Sequence, residues 1–337
     1  MTLSDIRLHY GENVIDGVSV AVSRRRARHL IVRVKQDGTA ALTIPQWRAT
    51  LAQGAAFLIS RWEWVQRTRE RILATPPPPE REFTPADIAR LQELVGVSAG
   101  ACFGCNYKSG QVGRVIRYNK RFARDPRYCS WKSLLTTGDL FGAEFCYRTL
   151  PMELDVFDAK AFETNPMEFH IVATDCTTGR PVYKRLDKAD ERTFDWICAS
   201  ASMPLVSRPV AIDGGLYLDG GLSDGIPLRY FESLGYERNV VVTTRPHRYR
   251  KFPNRRMFLL MSLLRRYPAI YEALKNRHVW HNRTLEYIDG RVAAGKAVLI
   301  APDEPLQISR VCHAPNVMQR VYDVGRKAGE TADLTFS

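Results

Sequence analysis

The sequence predicts an α/β domain, a mostly parallel sheet with helices on both faces, preceded by a small β-meander and long helix. Three observations carry this. From Val95 onward, apolar strand-like runs alternate with helix-like segments, the pattern of strands linked by crossover helices. Ahead of them, stretches of period-2 alternation give way to apolar residues at helical spacing. Between the two lies Pro76 to Pro79, a run that cannot continue a helix and favours a stiff, extended connection. The expected organisation is a small module over 1–75, a linker with a short helix over 76–94, and a main domain over 95–330.

Taken in order, residues 17–23 (GVSVAVS) and 29–35 (HLIVRVK) alternate as half-buried strands do. Asp37-Gly38 then turns the chain into AALTIP, a hairpin signal. From Ala49 to Leu73 the residues Leu51, Phe57, Leu58, Trp62 and Val65 fall near helical spacing. Residues 84–94 read as a helix capped by Thr84 with Pro85 at its first position. After the stretch VGVSAGACFGCNY, EFHIVATD (168–175) reads as a buried strand and RTFDWICASASMP (192–204) as a helix. Short strands flank IDGGLYLDGG, NVVVTTRP (239–246) is another strand, MFLLMSLLRRYPAIYEALKNR is helical, and KAVLIAP (296–302) is a last strand.

The chain has 337 residues, 45% of them apolar and 25% charged, as expected of a globular protein able to bury a core. No segment approaches the roughly 20 apolar residues that span a bilayer, and the N-terminus has no apolar signal-like stretch. Seven cysteines, an odd number at irregular spacing, predict free thiols and a cytoplasmic address. The net charge of +13 predicts attraction to an anionic surface or substrate. Its clusters, Arg24-Arg25-Arg26 and His247 to Arg256, sit in no nucleic-acid module, so no nucleic-acid partner is expected. The second cluster leads into MFLLMSLL and reads either as a membrane-touching element or as a surface loop before a core helix.

Two motifs carry chemistry. Gly96-Val97-Ser98-Ala99-Gly100 is a G-x-S-x-G pattern. A nucleophilic serine on a sharp strand-to-helix turn needs small flanking residues, and the following helix aims its positive end at a developing oxyanion. The second is Asp219-Gly220-Gly221, an Asp at a strand end where the backbone turns away. On these residues alone, a glycine-rich turn and a solvent-facing Asp remain open alternatives.

From about Val95 to Lys327 the chain resembles the bacterial branch of the patatin-like phospholipases. The matching blocks are GVSAGACFGCNYKS, RDPRYCSWKSLLTTGDLFGAEF, ASASMPLVSRPV and LDGGLSDGIPLRYFESLGY. The resemblance implies a patatin-like fold and hydrolysis of lipid carboxylic esters by a Ser-Asp dyad, with Ser98 as nucleophile and Asp219 as general base. It implies no metal and no cofactor. Asp213-Gly214-Gly215 has the same D-G-G pattern, but LSDGIP assigns the motif to the second copy, and Asp224 is expected to order the loop after it. A Ser-Asp-His triad is the rival assignment, because His247, His278, His281 and His313 follow Asp219 in the required order.

The N-terminal strands and helix resemble the start of a small HExxH zinc-metallopeptidase-like family, but the sequence contains no HExxH. Cys102-Phe103-Gly104-Cys105 has no second C-x-x-C and reads as small residues packing a helix on the sheet. The patatin-like family also begins with an apolar strand and a Gly-rich loop that supplies most of the oxyanion hole. The only Gly-Gly pairs here are Gly214-Gly215 and Gly220-Gly221, both downstream of Ser98. The backbone N–H of Ala99 is then the one obvious oxyanion donor. The expectation is a fusion, joined near Leu94, of two truncated families: an acyl hydrolase of impaired activity or, as the alternative, an inactive remnant binding anionic lipid.

Overall fold

The computed structural model describes residues 8–25, 29–34, 38–74, 92–254, 257–309, 311–334 and 336. It forms two compact units, Met1–Glu82 and Phe83–Ser337.

In the first unit, four strands, β1 (Gly11–Ile15), β2 (Val18–Arg25), β3 (Ile31–Val34) and β4 (Ala40–Pro45), are followed by helices α1 (Leu51–Ser60) and α2 (Trp62–Ala74). The expected hairpin is present as the antiparallel β3–β4 pair. The sheet is not a plain meander, because β4 lies between β2 and β3 and runs parallel to β2. The long helix is two helices, parted at Arg61, with Thr50 and Gln53 forming a capping box at the first. Val20, Leu42, Ile44, Leu58 and Val65, each fully buried, form its core.

The second unit opens with β5 (Glu93–Val97), α3 (Ala99–Lys108) and α4 (Arg114–Phe122). Next come α5 (Trp131–Thr137), a π-helix (Phe145–Leu154) and α6 (Ala159–Thr164), then β6 (Glu168–Asp175), β7 (Pro181–Arg185) and α7 (Glu191–Ala201). The remainder is β8 (Val210–Ile212), β9 (Gly215–Asp219), α8 (Leu228–Ser233), β10 (Asn239–Val242), α9 (Met257–Leu263), α10 (Pro268–Ala293), β11 (Ala297–Ile300) and α11 (Pro315–Glu330).

The unit is α/β, as the alternation predicts, but among its described residues parallel pairing is confined to β5–β6 and β10–β11. The pairs β6–β7, β6–β9 and β8–β9 are antiparallel. For β6–β7 and β8–β9 the reason is connection length: the turns after Asp175 and at Asp213-Gly214 are too short for the crossover a parallel pair requires.

The helix expected over 84–94 falls mostly outside the described residues, and its end is corrected. Glu93 and Leu94 belong to β5, held in register opposite Glu168 and Phe169, so sheet pairing overrides local helix propensity. The strand leading into the G-x-S-x-G turn is therefore five residues long rather than cut short at Val95. Six consecutive residues of β6, Phe169 to Thr174, are buried, marking it as the central strand. Phe162, Phe169, Ile171, Phe194 and Ile197 pack the core beside it. No helix among the described residues is long and apolar enough to cross a membrane.

Candidate active site

The sheet register brings the two motifs together. Val172 of β6 pairs with Val97 on one edge and Tyr183 on the other, while its neighbour Ala173 pairs with Asp219 and Val182. A strand has only two edges, so β5 and β9 share the edge opposite β7, meeting end to end. Ser98, one residue beyond Val97, therefore arrives beside Asp219. Its Oγ donates to Asp219 Oδ2 at 2.6 Å.

The turn at Ser98 is strained. Its φ of 56° and ψ of −118° lie where non-glycine residues are rare. Gly96 makes the strain possible: a Cβ there would stand 2.4 Å from the carbonyl oxygen of Gly100 and 2.6 Å from Ala101 Cα. Gly100, by contrast, has nothing within 4 Å of where its Cβ would be, and it faces the open cavity. Ala99 begins α3, so its N–H has no partner within the helix and stays available at the positive end of the helix dipole.

Asp219 is 3% exposed. Gly221 N–H donates to its Oδ1 at 2.7 Å, leaving Oδ2 for Ser98. Burial raises its pKa above the ordinary carboxylate value, opposed by the Ser98 hydroxyl, the Gly221 N–H and the positive charges of Arg277 and Lys251. Gly220 sits against β6, where a Cβ would meet the Val172 carbonyl oxygen at 2.1 Å. Arg277 Nε donates to Gly221 O, and Thr174 Oγ1 donates to Asp219 O, fixing the turn from two sides. Asp224 accepts from Tyr183 at 2.8 Å. Asp213 lies in the β8–β9 turn, ion-paired to Arg192.

Sequence reasoning missed Ser200. Fully buried near the end of α7, it accepts from the backbone N–H of Ser98 at 3.1 Å and donates to Val172 O at 2.6 Å, tying the turn to β6. The ASASMP stretch held the signal, since a serine on the buried face of a helix needs such partners.

Of the four histidines of the triad alternative, His247 and His281 line the same cavity as Ser98 and Asp219, but the contacts of all four are with other groups. His247 pairs with Asp289, His278 and His313 contact the backbone oxygens of Lys275 and Ala123, and His281 packs edge-on against Tyr249. Burial, with Lys251, Arg277 and Arg250, pushes His281 down to about 4. Cys105 joins the main core, and burial drives Cys102 and Cys105 up to about 11 and about 12, far from a reactive thiolate. All seven cysteines are free.

Ser98 and Asp219 open into a cavity of about 1930 Å³ lined by Phe103, Tyr147, Met203, Ile226 and Leu285, among others. A hydroxyl hydrogen-bonded to a buried carboxylate beside an apolar space is suited to acyl transfer from an ester with a hydrocarbon chain.

Residues 81–232 match the family model described as Patatin-like phospholipase, and residues 267–332 match a domain of unknown function, DUF6363. The uncharacterized protein YjjU of Escherichia coli K12 is 30% identical over 172 residues, 49% of this chain and 46% of that protein. Uncharacterized NTE family proteins of Mycobacterium tuberculosis and Mycobacterium bovis are 24% identical over 150 residues, 44% of this chain and 40% of each relative. The chain thus spans less than half the length of the relatives it matches.

Proposed function

With a patatin-like phospholipase domain carried over residues 81–232, we propose that this chain is a serine acyl hydrolase of lipid carboxylic esters acting through Ser98 and Asp219. The observation that carries the reading is the 2.6 Å hydrogen bond between Ser98 Oγ, on its strained turn, and the buried Asp219 carboxylate.

Asp219 takes the Ser98 proton as the hydroxyl oxygen attacks the ester carbonyl. The tetrahedral intermediate collapses as the alcohol leaves, taking that proton from Asp219, and an acyl-enzyme remains. Water then gives a proton to Asp219 and attacks the acyl carbon, and the fatty acid departs as Ser98 recovers its proton. Burial raises the pKa of Asp219, which makes it a better base than an exposed carboxylate. No metal or cofactor enters these steps.

The oxyanion hole is the weak point. Ala99 N–H and the α3 dipole are its donors, and losing one donor elsewhere costs roughly 100- to 1,000-fold in turnover. The activity proposed is accordingly low. The alternative, an inactive remnant that holds anionic lipid, is favoured by one surface. Arg248 and Phe252 are exposed beside Arg250 and Lys251, and Met261 and Leu263 are exposed on α9.

Fluorophosphonate labelling with Ser98→Ala as control tests the reading. Labelling of the parent that the variant loses is the expected result. No labelling of a folded parent chain overturns it in favour of the remnant.

A further inference from the structure

Away from the dyad, the first residues of β5 and β6 belong to a second cluster of ionisable groups. Glu93 and Glu168 stand directly opposite one another in the sheet register, and His170 lies two residues on, on the same face of β6. One ligand-type atom from each of the three lies within 4.8 Å of the other two. Like charges facing each other across neighbouring strands repel, so the pair needs a proton or a cation between its carboxylates.

Each of the three residues has its other polar atom held from outside. The Tyr236 hydroxyl donates to Glu93 Oε1, and the Arg185 guanidinium donates to Glu168 Oε1. His170 Nδ1 meets the Tyr230 hydroxyl at 2.9 Å, and Tyr230 is fixed by stacking on Tyr183, ring centroids 3.9 Å apart. The remaining atoms are Glu93 Oε2, Glu168 Oε2 and His170 Nε2. Among the described residues, Glu93 Oε2 has no hydrogen-bond partner although it is completely buried. The His170 side chain is 5% exposed, and its Nε2 is met by Glu168 Oε2 at 3.4 Å. That separation is long for a hydrogen bond. It fits two ligands of one ion, since atoms about 2.1 Å from a tetrahedral zinc stand about 3.4 Å from each other.

We propose that Glu93, Glu168 and His170 bind one divalent cation of the zinc type, which cross-links β5 to β6. The donor set selects the ion. Calcium and magnesium take oxygen ligands, whereas one imidazole with two carboxylates suits zinc, with water in the fourth position. Arg185 also pairs with Asp187, so its charge does not cancel that of the ligand set. Tyr230, Tyr236 and Arg185 are then the outer groups that orient the three ligands. The ion is structural rather than catalytic. Ser98 lies five residues beyond Glu93, about 16 Å away at the rise of a strand. What the ion would secure is the start of the strand that ends at Ser98.

The test uses the full chain, stripped with a chelator and titrated with Zn2+, then with Co2+ as a spectroscopic probe. Saturation at one ion per chain, with a raised melting temperature, is the expected result. Tyr230→Phe removes one outer hydroxyl and should weaken binding about 10- to 100-fold. Glu93→Gln removes a ligand and should weaken it further, while His278→Gln, outside the cluster, should bind as the parent does. All seven cysteines are free, so the Co2+ spectrum must lack the charge-transfer band that thiolate ligation gives. No saturable binding by a folded parent chain overturns the site and leaves a carboxyl pair sharing a proton. A thiolate band, or parent-like binding by Glu93→Gln, overturns it by placing the ion elsewhere.

Discussion

Replacing Gly96 and Gly100, four residues apart on the same turn, with alanine should move stability in opposite directions. At Gly96 the new methyl would lie 2.4, 2.5 and 2.6 Å from Gly100 O, Gly100 C and Ala101 Cα. Ordinary carbon contacts begin near 3.5 Å, so the first turn of α3 must shift by about 1 Å. All three atoms are backbone, and no flexible side chain can yield. Overpacking of this kind costs about 1–3 kcal/mol. At Gly100 the methyl meets nothing within 4 Å, and alanine in a helix is favoured over glycine by up to about 1 kcal/mol. The two variants should therefore differ by about 1–4 kcal/mol, the sum of the two effects. Hydrogen exchange on peptides covering β5 and α3 reads this locally, free of the first unit's own unfolding. Fluorophosphonate labelling should be lost in Gly96→Ala and retained in Gly100→Ala. Equal protection in the two variants, or parent-like labelling of Gly96→Ala, would refute the argument that close approach at Gly96 forms the turn.

Asp219→Asn should abolish labelling and raise the melting temperature. A buried carboxylate with a raised pKa costs stability above that pKa, and the cost disappears as pH falls toward the unfolded value. Parent labelling should fall with acid as Asp219 takes up its proton, and a flat profile would argue against it as the base. Ser200→Ala should cost about 1–3 kcal/mol by leaving the Ser98 N–H and Val172 O short of a partner, seen as a lower urea midpoint with weaker labelling. His281→Asn should label as the parent does, and loss of labelling in that variant would revive a histidine base. Glu93, pushed up to about 7 mainly by burial and the Glu168 carboxylate, should weaken the fold as pH rises through that value, and Glu93→Gln should remove this dependence in thermal melts.

The two turns that carry Ser98 and Asp219 were legible because each is encoded locally. Gly96-Val97-Ser98-Ala99-Gly100 encodes a turn whose shape depends on which residues lack a Cβ, and Asp219-Gly220-Gly221 encodes another. Which partners Ser200 takes was not legible, because Ser98 and Val172 are far from it in sequence and meet it only in the assembled sheet. Local pattern misled at Glu93-Leu94, where RLQEL looks helical until pairing with β6 is known. It misled also on sheet direction. An apolar run such as EFHIVATD shows burial but not orientation, and the antiparallel neighbour β7 arises from a turn whose brevity became clear only with the strand limits.

The end-to-end meeting of β5 and β9 along β6 has a kinetic consequence. Ser98 and Asp219 are 121 residues apart, and the 2.6 Å bond between them exists only once both strands have docked on β6. Closing so long a loop is slow compared with forming helices, so the pair should be among the last contacts made during folding. Competence to react would then lag behind helix formation after dilution from denaturant. A chain stalled with β9 undocked would carry a nearly complete complement of secondary structure and an inert serine.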